Sequence, residues 1–364
     1  MSDFFEIDFL DVQSVNSGDA IPLRYQLNGN IYIHVVDGGY QETGEHVVKH
    51  IRTYYGKPTF IDNVVVTHPD GDHAGGLRRV LEEFDIGTLW MLRPWLYADE
   101  LIDRFSRFTS VDNLIIRLKE LYPNIAALEK LAIEKQVTIS EPFQGARIGE
   151  FIVMAPSKSR YLDLVVESDK TPESAKEKQQ TPAASIGNLI EKTVAKAISF
   201  LKAVWGIETF SAEETSFENE MSVIQYASIC DKRILLTGDA GRTGLSEAAD
   251  YAPDVGLMLP HIDYFQVPHH GSRRNVSTEI LDRWLGPRLS SKPAEGEEIF
   301  EAIISASKKD KDHPRKAVIR ATIHRGGATF TFAKAPELCS GHNAPVRAGW
   351  VPAPNSLYPE EQEE

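Results

Sequence analysis

The sequence predicts an α/β fold, and three observations carry that prediction. Val64-Val65-Val66-Thr67 is a β-branched run that feeds a polar turn, as a buried strand ending in a loop does. Residues 43–55, 77–84, 98–108, 111–135, 243–250, 278–285 and 315–322 carry apolar side chains at helical spacing. Between them, residues 4–12, 30–36, 60–67, 89–92, 147–155, 217–230, 232–238, 263–267, 302–305 and 328–332 read as short strands.

Taken in order, residues 4–12 alternate roughly between apolar and acidic positions. Gly18-Asp19-Ala20 follows, then strand 30–36 and the turn Asp37-Gly38-Gly39. Helix 43–55 has Thr43 as a cap, Val47, Ile51 and Tyr54 on one face, and Gly56 with Pro58 to stop it. His46 and His50 stand four apart on that helix. The Glu that follows the first His of a zinc-binding helix is missing, so both read as solvent-facing. Strand 60–67 delivers a polar turn, and Gly75-Gly76 lets the backbone enter helix 77–84. Pro123 interrupts the helical period of 111–135.

Residues 156–215 read as an insertion. From Ser168 to Ser185 the apolar side chains, Pro aside, are Ala175, Ala183 and Ala184, which cannot bury a core; this predicts a mobile surface excursion. Ile190, Val194, Ala197, Ile198, Leu201 and Trp205 then form one stripe of a helix over 189–205, expected to pack on the parent domain. The parent domain spans 1–335, interrupted by this insertion, and 336–364 is a Pro-rich, acidic, partly disordered tail.

No apolar run approaches the roughly 18 residues needed to span a bilayer, and the start has no basic signal-like region. Cys230 and Cys339 make neither a disulfide framework nor a zinc finger, and a reducing cytoplasm is the expected location. The 364 residues carry a net charge of −14, which disfavours a broad nucleic-acid-coating surface and leaves room for a local basic groove.

The chemistry concentrates in His68-Pro69-Asp70-Gly71-Asp72-His73-Ala74-Gly75-Gly76, with two His and two Asp within six positions. A strand that ends in such a turn converges imidazoles and carboxylates on one or two divalent metals. With Thr67, this stretch resembles the T-H-x-H-x-D-H-x-G-G signature of the metallo-β-lactamase superfamily. Asp70 stands where the second His of the signature usually stands, a variant similar to the soluble hydrolase domain of ComEC-type DNA-uptake proteins. Leu235-Leu236-Thr237-Gly238-Asp239-Ala240 and Val267-Pro268-His269-His270-Gly271-Ser272 resemble two further segments of that group, in the same order. The chain has none of the membrane channel that ComEC-type proteins carry.

The resemblance implies a four-layer αβ/βα sandwich with a helical or disordered insertion, and a dinuclear metal site at one sheet edge. By position, His68 and Asp70 hold a first metal, Asp72 and His73 a second, Asp239 bridges them, and His269 or His270 is the final His ligand. The strand end favours His269. Asn219, where the superfamily usually has another His, is a weak ligand or orients the site. Asp37 matches an Asp that supports the metal loop. The carboxylate at Asp70 hardens the ligand set towards manganese, with zinc the runner-up.

The expected reaction is hydrolysis by a water activated between two metals, and Asp72 is the residue on which it most depends. His313-Pro314 resembles a His-Pro segment of that group, and His313 is expected to bind phosphate or protonate the leaving oxygen. Ser272, Arg273 and Arg274 are placed to contact phosphate. Lys308, Lys309, Lys311, Arg315, Lys316, Arg320, Arg325 and Lys334 against Asp310 and Asp312 make a basic strip suited to a polyanion. The expected function is a phosphodiesterase that cuts nucleic acid. A small-molecule hydrolase (of a cyclic nucleotide, a phosphocholine ester or a lactone) is the alternative. A non-catalytic module that binds a protein partner through 156–215 or the tail is a third.

Overall fold

The computed structural model describes residues 2–106, 108–168, 204–332 and 337–362. Among these residues, fourteen strands form two seven-stranded sheets. In chain order they are β1 (Phe4–Leu10), β2 (Ala20–Leu27), β3 (Asn30–Gly38), β4 (Phe60–Val65), β5 (Asp85–Trp90), β6 (Thr138–Ser140), β7 (Arg147–Ile148), β8 (Phe151–Ala155), β9 (Ile224–Ile229), β10 (Lys232–Leu236), β11 (Tyr264–Gln266), β12 (Phe300–Ile304), β13 (Gly327–Thr331) and β14 (Glu337–His342).

The first sheet runs β14-β1-β2-β3-β4-β5-β6 and the second β13-β12-β11-β10-β9-β8-β7. Each changes character once. Pairing is antiparallel from β14 to β3 and from β7 to β10, then parallel from β3 to β6 and from β10 to β13. The change falls at β3/β4, where His34 pairs Asn63, and at β10/β11, where Ile234 pairs Tyr264.

The sheets meet face to face, with Phe5 edge-on to Tyr264 at 5.1 Å and His34 against Phe151 at 5.8 Å. Helices cover both outer faces. On the first sheet, Thr43–Tyr54 buries Val47, Val48 and Ile51, and Leu77–Glu83 buries Leu77, Val80 and Leu81. On the second, Leu245, Leu281, Trp284 and Val318 from three helices pack with Leu235, Phe265 and Ile304. The result is four layers, as each sheet must hide two apolar faces. Among the described residues no helix is long and apolar enough to cross a membrane.

Most expected elements are present, and the departures have physical reasons. β2 contains Pro22, which a strand interior rarely tolerates; its pairing with β1 ends at Leu23, just short of the proline. The helix over 98–108 is short, Ala98–Leu101 followed by a 3-10 turn to Arg104. Thr43 does not cap its helix: Oγ1 donates to Val12 O at 3.4 Å. Phe217–Glu220 is a helical turn capped by Ser216, not the start of a strand. Within 156–215, Lys158–Glu167 is a helix whose Tyr161 and Val165 join the core. The stretch expected to be mobile and the apolar stripe of 189–205 lie outside the described residues, save for Ser168, Val204 and Trp205.

The segment after Pro336 is docked rather than free. Glu337–His342 is an edge strand on β1, and the Arg347 guanidinium grips Asp8 with two bonds of 2.7 Å while also pairing with Glu6 at 2.9 Å. His50, read as solvent-facing, is 2% exposed, with Nε2 3.1 Å from Asp8 and Nδ1 3.5 Å from Glu337. His46 donates to the same Glu337 at 2.9 Å. At the far end Tyr358 stacks near Trp205, and Gln362 bonds Thr209 N–H at 2.9 Å.

This latch titrates. Burial alone lowers His50, but hydrogen bonds to Asp8 and Glu337 raise it above its ordinary 6.5. Its contribution is complete below pH 6.5 and is lost as pH rises through the higher folded-state value. Hydrogen bonds from His46 and His50 hold Glu337 down at about 2, so its share is complete above 4.5 and is lost as pH falls towards 2. Thermal unfolding is therefore expected to show a stability loss above pH 6.5 that His50→Gln reduces, at a cost of about 1–3 kcal/mol near pH 6. An unchanged pH profile in the variant would remove the latch from the account.

Candidate metal centre

The centre forms where parallel pairing begins in each sheet, beyond the C-terminal ends of β3, β4, β10, β11 and β12. β3 delivers Asp37, which stands at φ 57°. Its carboxylate accepts Thr67 N–H at 2.8 Å, Thr67 Oγ–H at 2.5 Å and His73 Nδ1–H at 2.7 Å. Having given its proton to Asp37, Thr67 Oγ accepts from His68 Nδ1 at 3.1 Å. Glycine makes this closeness feasible. Gly76 N–H donates to Gly39 O at 2.9 Å, and a Cβ on Gly76 would stand 2.0 Å from Gly38 O.

The second sheet supplies Asp239 after β10 and His269-His270 after β11. The two histidines sit at φ 48° and 54°, ahead of Gly271 at 84°. Two successive non-glycine residues in the left-handed region cost backbone energy, and such strain persists where the surroundings enforce it. Here His269 N–H donates to Gly238 O at 3.2 Å, and Ser272 N–H to His269 O at 2.9 Å.

The two sets converge on Asp239. Its Oδ1 faces His73 Nε2 at 3.3 Å and His270 Nε2 at 3.6 Å. Its Oδ2 faces His269 Nε2 at 3.6 Å and His68 Nε2 at 3.9 Å, and Asp70 lies 3.8 Å from His68 Nε2. Asp72, His73 and His270 also bring ligand atoms within 4.8 Å of one another. Each imidazole is held from behind through Nδ1. Asp37 takes His73, Thr67 takes His68, Asn275 Oδ1 takes His269 at 2.9 Å, and Ser305 Oγ lies 3.4 Å from His270. The Nε2 lone pairs are thereby aimed inward.

Nε2 of His68, His73 and His270 and Oδ1 of Asp239 are buried without a hydrogen-bond partner. Four facing acceptors cannot satisfy one another; burial lowers His73, but Asp239 and Asp37 raise it well above its ordinary value, so without a cation a proton bridges only His73 and Asp239. A divalent cation satisfies all of them, so the residues fit a metal. Burial, and then the His73 charge, lower His68; burial lowers His270 to about 3. Both are neutral, the form that ligates. Burial pushes Asp239 up, but the imidazoles facing it, His73 first, hold it well below the usual range.

The other candidates are distributed around this core. Asn219 stands behind His269, its Nδ2 3.1 Å from the ring Nδ1 and donating to Thr215 at 2.8 Å. His313 stacks on His269 at 5.5 Å, with Nδ1 3.2 Å from Asp310. Ser272 is buried, its Oγ accepting Arg274 N–H at 3.3 Å; Arg273 is half-buried, and Arg274 is exposed and paired with Glu213. Lys308 and Lys309 are exposed, and Lys309 reaches Gln13 O at 3.3 Å.

The basic strip is smaller than its sequence implies. Arg320 and Arg325 are buried: Arg320 binds the carbonyls of Val204, Pro359 and Glu360, and Arg325 pairs with Glu208 and Asp282. Lys334 lies outside the described residues. Two residues escaped the sequence reading. Asn275 has no motif around it. Asp19 lies in Gly18-Asp19-Ala20, a short loop with no other ligand-type side chain at metal-site spacing around it.

Asp37→Asn keeps the shape but presents an amide to three donors. Affinity for Mn²⁺ or Zn²⁺, read by calorimetry, is expected to fall about 10–100-fold. Wild-type affinity in the variant would show that Asp37 does not position the imidazoles.

No curated protein matches the sequence. Residues 32–121 match the family model of the Metallo-beta-lactamase superfamily, a segment that includes Asp37, His68, Asp70, Asp72 and His73. That superfamily is generally hydrolytic and binds divalent metal, often zinc. The two facing sheets with helices outside them are consistent with the αβ/βα sandwich of that superfamily.

Proposed function

We propose that the protein is a metal-dependent phosphodiesterase that cuts nucleic acid, similar to the hydrolase domain of ComEC-type proteins. The observation that carries the hydrolase reading is the set of inward-facing Nε2 atoms around the two oxygens of Asp239. His68, Asp70, His269 and Asp239 Oδ2 would hold one cation. Asp72, His73, His270 and Asp239 Oδ1 would hold the other. Both final histidines therefore have a place, and His269 stands in for the imidazole replaced at Asp70. Bound divalent ions supply Lewis acidity towards a phosphoryl oxygen and acidify a water nucleophile. Two nitrogens and two carboxylates on each side suit manganese and zinc alike.

The residues do the rest. Asp37, Thr67, Asn275 and Asn219 hold the imidazoles in aim, so little reorganisation accompanies reaction. His313, with Nδ1 turned to Asp310, presents its other nitrogen for a hydrogen bond to the phosphoryl group or the leaving oxygen. Lys308, Lys309, Lys311, Arg315 and Lys316 attract a polyanion to this side of the molecule.

One observation favours a second reading, hydrolysis of a small phosphodiester. With Arg320 and Arg325 buried, five described cations remain against Asp310 and Asp312, a short track for a polymer.

Labelled single-stranded DNA, double-stranded DNA, RNA and bis(p-nitrophenyl) phosphate, each with Mn²⁺ or Zn²⁺, separate these readings. Polymer cleavage that falls by at least about 10³-fold in Asp72→Ala is expected. Diester turnover without polymer cleavage selects the small-substrate reading. No turnover of any substrate by metal-loaded protein overturns both. Metal content after purification without added metal decides between manganese and zinc.

A further inference from the structure

Asp19 is a fully buried carboxylate whose side-chain partners are neutral. Oδ2 accepts Gln266 Nε2–H at 2.7 Å, and Oδ1 accepts the Ser305 hydroxyl. Among the described residues no Lys or Arg pairs with it; its ionic neighbours are His73 Nδ1 and His270 Nδ1, each at 3.8 Å. An uncompensated buried charge is costly, and an amide could meet both neutral partners by accepting from Gln266 and donating to Ser305. A carboxylate rather than an amide therefore needs a reason, and a cation held by the neighbouring imidazoles supplies one.

The connections of Asp19 lead to one half of the centre. Its N–H donates to Asp72 O at 3.2 Å, and its carbonyl accepts from Gly39 at 2.6 Å. The Gln266 side chain that holds Oδ2 also accepts Thr237 N–H at 2.8 Å and Gly238 N–H at 3.2 Å, just before Asp239. Ser305 Oγ lies 3.4 Å from His270 Nδ1, so the hydroxyl relays the carboxylate to that ring. Asp72, His73, His270 and Asp239 are thus all reached from Asp19. His68 and Asp70 have no contact with it among these bonds.

We propose that Asp19 is the positioning residue of the Asp72–His73–His270 half of the centre. Its carboxylate and its Ser305 relay hold both rings with Nδ1 protonated and Nε2 bare, and its negative charge offsets that of the cation bound there. The inference rests on the two-cation reading above.

The test is titration of metal-free protein with Mn²⁺, followed by equilibrium binding and electron paramagnetic resonance, on wild type, Asp19→Asn and Ser305→Ala. Wild type is expected to bind two equivalents and give the signal of a spin-coupled pair. Asp19→Asn is expected to bind the first equivalent within twofold of wild type and the second about 10–100-fold more weakly. At equal loading it gives an uncoupled single-ion signal. Metal-free Asp19→Asn is expected to melt no lower than wild type, since a buried charge is removed, yet to gain less from added Mn²⁺. Ser305→Ala keeps the charge and breaks the relay, and is expected to weaken the second equivalent several-fold.

Two wild-type-strength equivalents in Asp19→Asn overturn the inference, as do equal losses at both. If Asp19→Asn does not fold, wild-type second-site affinity in Ser305→Ala overturns it. A wild type that binds fewer than two equivalents instead overturns the two-cation reading and this inference with it.

Discussion

Everything at the candidate centre depends on Asp37. One buried carboxylate accepts two protons from Thr67 and one from His73. That arrangement fixes the end of β4, aims His73, and leaves Thr67 with a lone pair that turns His68. It is possible only because the turn after β3 touches the metal loop backbone to backbone, at Gly38, Gly39 and Gly76. A side chain at Gly76 would push the loop away and break the alignment. The local packing requirement and the chemical requirement are the same requirement.

The second half of the centre uses the same topology with different residues. In each sheet the side chains arise where antiparallel pairing gives way to parallel pairing. The first sheet contributes a compact turn with two His and two Asp. The second contributes one Asp and a strained His-His turn. Asp239 lies between them and is the point at which the two sheets share a site.

Away from the centre, buried cations are used for assembly. Arg347 clamps the segment after β14 to Glu6 and Asp8 on β1, and Arg320 and Arg325 hold the segments around Val204, Glu208 and Pro359 against the second sheet. Removing one partner of such a pair leaves a buried charge unmatched, which makes these pairs firm attachments for the ends of the chain. It also removes two arginines from the surface available to a polyanion.

The sequence by itself determined what is local: the β-branched strand and its His/Asp turn, the glycines that follow, most helices, and the order of the three motifs. Periodicity and short-range spacing encode those directly. Tertiary structure decided what depends on residues far apart in the chain. His50 reads as surface because its partners Asp8 and Glu337 are remote; Arg320 and Arg325 read as a basic strip because Glu208, Asp282 and Pro359 are remote. Only the folded chain brings Asp19 to Gln266 and Ser305, or gives His269 and His270 opposite oxygens of Asp239. The reason is physical: a side chain's charge state and exposure are set by what packs against it, and that packing is not a property of its sequence neighbours.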